Sequence, residues 1–134
     1  MSLHILTEPT EQIDPSILAE LSNDTEEMGQ VVLHILYNAP AHSFMNIRIW
    51  PTTYLFDQHS DHRSDLVHIE NICLYPNWMP IFPGERYHFT LIFSGLPKAC
   101  TVFDFIEVCE TEGGAFEARG IHRNDTDVYF LEVL

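Results

Sequence analysis

The sequence predicts an all-β domain, and more narrowly an antiparallel β-sandwich, from three observations. About eight short apolar runs recur along the chain at a spacing of about 8 to 15 residues. Proline and glycine fall between these runs, where turns are expected. The clearest run, residues 86–93, alternates apolar and polar side chains with a period of two, which is typical of a strand with one buried face. Because no long helical pattern separates successive runs, a sandwich is favoured over β–α–β units.

Residues 86–93 are expected to form the central strand of the fold. One side of this strand carries the large apolar residues Tyr87, Phe89, Leu91 and Phe93. Burial of one such side chain stabilises the folded state by about 1.5–3 kcal/mol. We therefore expect this strand to organise the core against which the other strands pack.

Residues 1–28 are expected to form an N-terminal extension, with an edge strand at 3–7 and a short helix that packs on the sandwich. Asp14 is placed to cap that helix, and Pro15 would occupy its first position, where the missing N–H costs nothing. Residues 31–37 are apolar at nearly every position and rich in β-branched side chains. A strand of this composition is expected to be covered on both faces.

The remaining strands are predicted in order along the chain. Apolar runs bounded by proline, glycine or polar clusters place them at residues 44–50, 52–56, 66–69, 72–75, 101–108, 115–121 and 128–133. Residues 76–84 contain three prolines and a glycine and are expected to form a loop. In the 101–108 run the apolar side chains change phase after Phe105, which predicts a β-bulge near residues 105 and 106. Residues 1–134 as a whole are expected to form a single domain.

The chain is strongly acidic, with 20 Asp and Glu residues against six Lys and Arg and a net charge of -14. Such a charge repels phosphate backbones and anionic lipids, so nucleic-acid binding is not expected. No apolar run approaches the roughly 18–20 residues that span a bilayer, so membrane insertion is not expected either. The N-terminus lacks the pattern of an export signal, which favours a cytoplasmic location, although a signal already removed would leave no trace. Three cysteines without C-x-x-C spacing favour reduced thiols.

The polar segment 57–65 is the first candidate site. His59 and His62, together with Asp57, supply the nitrogen and oxygen ligands that zinc or another divalent metal accepts. Such a site would make the chain a metal-binding protein or a metal-dependent hydrolase. The alternative is a solvated hairpin loop, in which Asp and His are present because they favour turn geometry.

A group of large apolar side chains near prolines is the second candidate site. Trp78, Met79 and Phe82 lie in the predicted 76–84 loop, and Trp50 precedes another proline. A monomeric protein normally avoids exposing such residues. They are therefore expected either to close the sandwich as a lid or to form a contact surface for a protein partner or a second copy of the chain.

No residue is assigned a catalytic role. Each cysteine lies in or beside an apolar strand, which favours a buried thiol over an activated nucleophile. Asp104 and Glu107 flank the predicted bulge, but chance pairs are expected among so many acidic residues. The common motifs of serine hydrolases, zinc proteases and nucleotide-binding loops are absent.

Four segments together resemble a group of uncharacterised bacterial β-sandwich domains, namely residues 49–57, 66–76, 89–97 and 102–107. In that group the patterns T-Y-L-x-D, A-E-x-I-x-L-x-P, F-T-L-x-F and F-D-x-I-E recur in this order. The resemblance covers residues 45–122, and the chain departs from it at Ile69, where a small residue is usual, and in its histidine-rich loop. It implies an immunoglobulin-like sandwich of about 7–9 strands without an assigned enzyme reaction.

The expected function is that of a non-catalytic interaction or binding module that needs no cofactor. A metal-binding protein or metal-dependent hydrolase that uses the His59 and His62 loop is the first alternative. A homo-oligomeric structural protein, assembled through the Trp78 segment or an exposed sheet edge, is the second.

Overall fold

The computed structural model describes residues 3–6, 29–109 and 115–133. Within these ranges the chain consists of β-strands and connecting loops, with no helix. The all-β prediction is confirmed. The predicted helix that begins near Asp14 lies outside the described residues. Accordingly, none of the described segments is a helix long and apolar enough to cross a membrane.

Ten strands are present in the described ranges. Their bounds are β1 Leu3–Leu6, β2 Val31–Asn38, β3 Met45–Ile47, β4 Thr53–Asp57, β5 Arg63–Glu70, β6 Met79–Ile81, β7 Arg86–Phe93, β8 Val102–Glu107, β9 Glu117–His122 and β10 Val128–Val133. The strands predicted at 86–93 and 128–133 have the predicted bounds. The loop predicted at 76–84 is wrong in its middle, because it contains β6. Pro80 is tolerated there since β6 belongs to a ribbon of only two strands, in which each strand has an open edge.

Eight strands form one curled sheet in the order β1-β10-β2-β7-β5-β4-β8-β9, and β3 and β6 form a separate two-stranded ribbon. The two edge strands of the large sheet, β1 and β9, approach each other, so the sheet curls into a half-barrel. The expectation that all strands pair antiparallel is wrong, because β10 pairs in parallel with β2 and the sheet is therefore mixed. Alternation of apolar and polar residues fixes which face of a strand is buried, but it does not fix the direction of the neighbouring strand.

The centre of the core is β7, as predicted. It pairs with β2 on one side and with β5 on the other. Phe89 and Phe93 are fully buried and make edge-to-face contacts with the rings of Phe116 and Phe105, at centroid distances of 5.9 and 6.1 Å. Such ring pairs contribute about 0.5–1.5 kcal/mol each beyond the area that they bury. The aromatic side of β7 therefore joins the two halves of the sheet.

The strand β2 is shielded on both faces, which confirms the prediction made for residues 31–37. Leu33 and Ile35 lie on the core face of this strand, and on its opposite face Val32 and Leu36 are also buried, at 2% and 3% exposure. On the same side as Val32, the His34 ring stacks on Phe130 at 5.2 Å and its Nδ1 lies 2.9 Å from the Thr90 hydroxyl. Burial lowers the pKa of His34. The outer face of β2 is therefore less polar than the solvent-facing side of a sheet that is covered on one side only.

The irregularity predicted near residues 105 and 106 lies elsewhere. Strand β8 alternates regularly between partly buried and buried residues to its end at Glu107, and its pairing with β4 is continuous. The register shift occurs against β9, where Gly120 adopts a φ of +69° and donates its N–H to Asp104 at 2.8 Å. A left-handed backbone at a bulge favours glycine. As a result Glu107, and not Ile106, faces the interior.

Candidate functional site

The β3–β6 ribbon places apolar side chains on both of its faces. In the register of this ribbon Met45 pairs with Ile81 and Ile47 pairs with Met79. These four side chains face the core, where Ile47 and Ile81 are at most 2% exposed. Because successive side chains of a strand alternate between its faces, the residues between and beyond them point outward.

The outward side of the ribbon forms an exposed aromatic surface. At one end, the Phe44 and Phe82 rings meet edge to face at 5.8 Å and are 72% and 65% exposed. At the other end, the Arg48 guanidinium lies 3.6 Å from the Trp78 ring centroid and 4.5 Å from that of Tyr75. We define the aromatic face as this cationic group and the five neighbouring rings, those of Phe44, Trp50, Tyr75, Trp78 and Phe82.

The Trp50 and Tyr75 rings form the base of this surface. They stack with a centroid separation of 4.2 Å, and the Tyr75 ring also contacts the Arg48 guanidinium. Arg48 donates to the Pro76 carbonyl oxygen at 3.1 Å. An arginine held between aromatic rings keeps its charge at the surface while its side chain covers apolar area. The group is therefore a preformed surface with defined positions for its rings.

Backbone hydrogen bonds fix the aromatic face to the body of the protein. Ile49 donates its N–H to the Cys73 carbonyl and accepts from the Tyr75 N–H, each at 2.9 Å, which holds the two segments side by side as a parallel bridge at Leu74. Ile49 itself is fully buried. The rings of Trp50 and Tyr75 thus extend from a segment that is anchored in the core, and little conformational freedom would be lost when a partner binds them.

A buried carboxylate positions Trp50. Glu107 is 6% exposed, and its two oxygens accept the backbone N–H groups of Trp50 and Phe116 at 2.9 and 3.0 Å. Burial raises the pKa of this carboxyl, and the two backbone hydrogen bonds oppose the rise. Glu107, the last residue of β8, therefore connects Trp50 of the aromatic face to Phe116, in the segment that leads into β9.

The predicted metal ligands do not converge, although Asp57 ends β4 and both His59 and His62 lie in the loop between β4 and β5. The Asp57 carboxylate accepts the His59 backbone N–H at 3.0 Å and the Ser60 hydroxyl at 2.6 Å. The Ser60 hydroxyl, and then the His59 N–H, lower the pKa of Asp57. The His59 ring is exposed, whereas Nε2 of His62 lies 2.9 Å from the Ser64 hydroxyl. The carboxylate and one imidazole are thus engaged within the loop itself.

Histidine, cysteine and carboxylate groups are not gathered into a metal site in the described part of the chain. Among residues 29–109 and 115–133 there is no group of three or more such side chains close enough to hold an ion. Structural zinc normally needs four ligands and catalytic zinc three. Three further histidines, His42, His88 and His122, are exposed residues on other segments.

The cysteines have the character of structural thiols. Cys73 and Cys100 are free thiols, and Cys100 is 3% exposed. Burial, together with the neighbouring Asp57, raises the pKa of Cys100 to about 11, so its thiol is protonated at neutral pH. Asp104 and Glu107 do not face each other, because they occupy opposite faces of β8. Neither arrangement provides an activated nucleophile or an opposed acid and base.

Sequence reasoning identified part of the aromatic face and missed the rest. Trp50, Trp78 and Phe82 are in it, but Met79 points into the core. Of the residues predicted to form either a lid or a contact surface, Met79 therefore lies on the buried side of the β3–β6 ribbon, and Trp78 and Phe82 lie on its outward side. Phe44 and Arg48 were not recognised, although their alternation with buried residues was visible in the sequence. The missing information was that β6 lies opposite β3.

Comparisons with known proteins give no match, whether with protein-family models, curated proteins or solved structures. The function is therefore inferred from the geometry of the chain itself. The two candidate sites differ in which of their side chains remain in contact with solvent. In the segment 57–62 the carboxylate and one histidine are hydrogen-bonded to other groups of the chain, whereas the aromatic face leaves several large rings in contact with solvent.

Proposed function

We propose that this chain is a non-catalytic interaction module that binds a partner protein through the aromatic face. The observation that carries the proposal is the exposure of Phe44, Tyr75, Trp78 and Phe82 on one side of a ribbon whose other side is buried in the core. Exposed aromatic groups with an arginine among them have the composition of the energetic centre of a protein interface. The resemblance to uncharacterised bacterial immunoglobulin-like domains is compatible with such a role.

The proposed partner is a different protein, neutral or basic in net charge. Association of two copies of this chain would bring together two molecules that each carry a charge of -14. Like charges slow such an encounter and oppose the complex, whereas a basic partner would be attracted. A homo-oligomer built through the same face is the competing proposal, and it differs in a measurable quantity, the mass of the particle in solution.

A metal-dependent function receives less support. Asp57 and His62 are hydrogen-bonded to other groups of the chain, and these bonds fix the positions of both side chains. A metal site needs at least three ligands that converge, and the described residues contain no group of three or more histidine, cysteine or carboxylate side chains that could hold an ion. The aromatic face needs no rearrangement to bind.

The proposal is tested by capture followed by reconstitution. The immobilised wild-type chain and the double variant Phe44→Ser, Phe82→Ser are exposed to the same cell extract, and proteins retained only by the wild type are identified and purified. The affinity of each purified candidate is then measured by calorimetry. We expect the double variant to bind at least about 100-fold more weakly, which corresponds to about 2.7 kcal/mol for the two rings together.

Control variants separate loss of binding from loss of structure. His59→Ala changes an exposed ring in the β4–β5 loop and should leave the affinity within about twofold of the wild type. The proposal fails if no reconstituted partner loses affinity on substitution of the two phenylalanines while their variant retains the wild-type far-ultraviolet spectrum. Sedimentation equilibrium that shows a stable dimer, dissociated by the same substitutions, would instead establish the homo-oligomer.

A further inference from the structure

The strand β5 changes its neighbours halfway along its length. Residues 63–65 pair with β4, and residues 66–70 pair with β7. The register shifts by one residue between Leu66 and His68, as in a β-bulge. On the β4 side the pairing ends at Asp65, opposite Tyr54, and the chain before β4 contains Pro51, which has no N–H to donate. The sheet therefore opens at this point.

The open side of residues 66–70 is an unpaired strand edge. In the described ranges no strand pairs with these residues on the side away from β7, and their backbone makes no hydrogen bond outside the β ladders. A strand paired on one side presents alternate N–H and C=O groups to the other. Such an edge can accept a further extended chain, whose backbone would complete these hydrogen bonds.

An apolar cleft adjoins this edge. Its volume is about 280 Å³, and it is lined by Pro51, Leu66, Val67, His68, Ile69 and Leu74. Leu66, Ile69 and Leu74 are partly buried and pack against the core, so they form a firm floor. Val67 is 51% exposed at the cleft margin. The cleft has room for an aliphatic side chain of a chain that lies along the edge.

Acidic groups flank the edge at both ends. The Asp65 and Glu70 side chains are 63% and 53% exposed, and each lies near a basic neighbour in its own strand, Arg63 at 3.7 Å and His68 at 3.5 Å. Exposed pairs of this kind are weak and remain open to competing cations. Together with the net charge of -14, they favour a ligand that carries basic residues on either side of its aliphatic one.

We propose that this edge and its cleft form a second binding site, which takes an extended peptide segment as an added strand beside residues 66–70. One aliphatic side chain of the peptide occupies the cleft, and its basic neighbours lie towards Asp65 and Glu70. The unpaired backbone groups favour a peptide over a lipid or a small apolar molecule, because only a backbone can satisfy several of them in series. The inference does not depend on the aromatic face.

A defined probe tests this site. A fluorescein-labelled peptide of ten residues, alternating valine and lysine, is titrated with the full chain at about 0.15 M salt. Two further peptides carry backbone N-methyl groups, one on every valine and the other on every lysine, and so have the same charge and the same number of methyl groups. Since alternate N–H groups of a strand point to the same side, one of the two should bind at least about tenfold more weakly and the other nearly as well as the parent.

Substitutions and amide exchange locate the bound peptide. Val67→Asn should weaken binding of the parent peptide by about fivefold to tenfold, whereas Phe82→Ser, on the aromatic face, should not change it. Exchange of the backbone amides in residues 66–70 should slow when the peptide is bound. The inference is overturned if the parent peptide does not bind at about 1 mM, if both methylated peptides bind equally, or if these amides show no change.

Discussion

The β4–β5 loop and the aromatic face were both singled out by residue type, and they differ in where their interaction partners lie. In the loop, the Asp57 carboxylate and the His62 ring find their partners within the chain. On the aromatic face, Phe44 and Phe82 have each other and otherwise face water. The comparison shows that polar residues grouped in the sequence form a metal site only where their side chains converge, whereas apolar groups held outside the core remain available to a partner.

The largest effect is expected where the aromatic face is joined to the core. Glu107→Ala would leave the N–H groups of Trp50 and Phe116 without their acceptor, and we expect the free energy of unfolding to fall by about 2–4 kcal/mol. Urea unfolding measures this change. Glu107→Gln keeps one acceptor oxygen and should cost about half as much. A loss below about 0.5 kcal/mol for the alanine variant would show that Glu107 does not hold the face in place.

The two regions should also respond to pH in opposite directions. The pKa of Asp57 is lowered in the folded state, so its contribution to stability is present above the unfolded value of about 3.9 and is lost as pH falls through the folded value. We expect the wild type to be about 1–2 kcal/mol more stable than Asp57→Asn near pH 7, with a smaller difference near pH 3.

For Glu107 the dependence of stability on pH has the opposite sign. Its pKa is raised in the folded state, so the linked stability is present below the unfolded value of about 4.3 and is lost as pH rises through the folded value. The advantage of the wild type over Glu107→Gln should therefore shrink between about pH 4 and pH 7. Urea unfolding of both pairs from about pH 3 to pH 7 gives the two slopes, and slopes of the same sign would refute the assigned environments.

The two histidines of the loop should differ from each other. His62→Ala removes contacts of the imidazole with Ser64 and with the Gly95 carbonyl and should cost about 1 kcal/mol, while His59→Ala should change stability by less than about 0.5 kcal/mol. Thermal unfolding distinguishes them. Metal analysis of the protein after dialysis against zinc should find no stoichiometric ion. Stoichiometric zinc that is lost from both variants would revive the metal site.

Much of the fold could be predicted, because alternation determines burial. Strands β7 and β10 have the predicted bounds since their apolar residues repeat with a clear period of two. Strand β6 was missed because proline normally argues against a strand, and only its place in a two-stranded ribbon makes Pro80 acceptable. The parallel pairing of β10 with β2 joins segments about 100 residues apart, and no local sequence pattern indicates it.

The candidate site was predictable only in part for the same physical reason. Trp78 and Phe82 stand out by size and by the prolines around them, but whether they lie inside or outside depends on which strand β6 pairs with. The role of Glu107 was hidden by an incorrect phase for β8, which came from placing the bulge in β8 when the register shift accompanies the positive φ of Gly120 in β9. The orientation of Trp78 and Phe82 and the phase of β8 are therefore both determined by contacts between distant segments.

A small effect on stability is also expected from the exposed ring pair. Phe44→Ser combined with Phe82→Ser should lower the free energy of unfolding by at most about 1 kcal/mol, because both rings are mostly exposed and their mutual contact is worth little more. Urea unfolding checks the value. A much larger loss would mean that these rings stabilise the fold, and the argument for a free contact surface would not hold.

The most direct test of the aromatic face is hydroxyl-radical footprinting of the chain, free and bound to its reconstituted partner. In the free chain the rings of Phe44, Trp78 and Phe82 should be oxidised rapidly, since they are exposed. In the complex their oxidation should fall several-fold while that of His59 in the loop stays unchanged. Protection of the loop with no protection of these three rings would contradict the account.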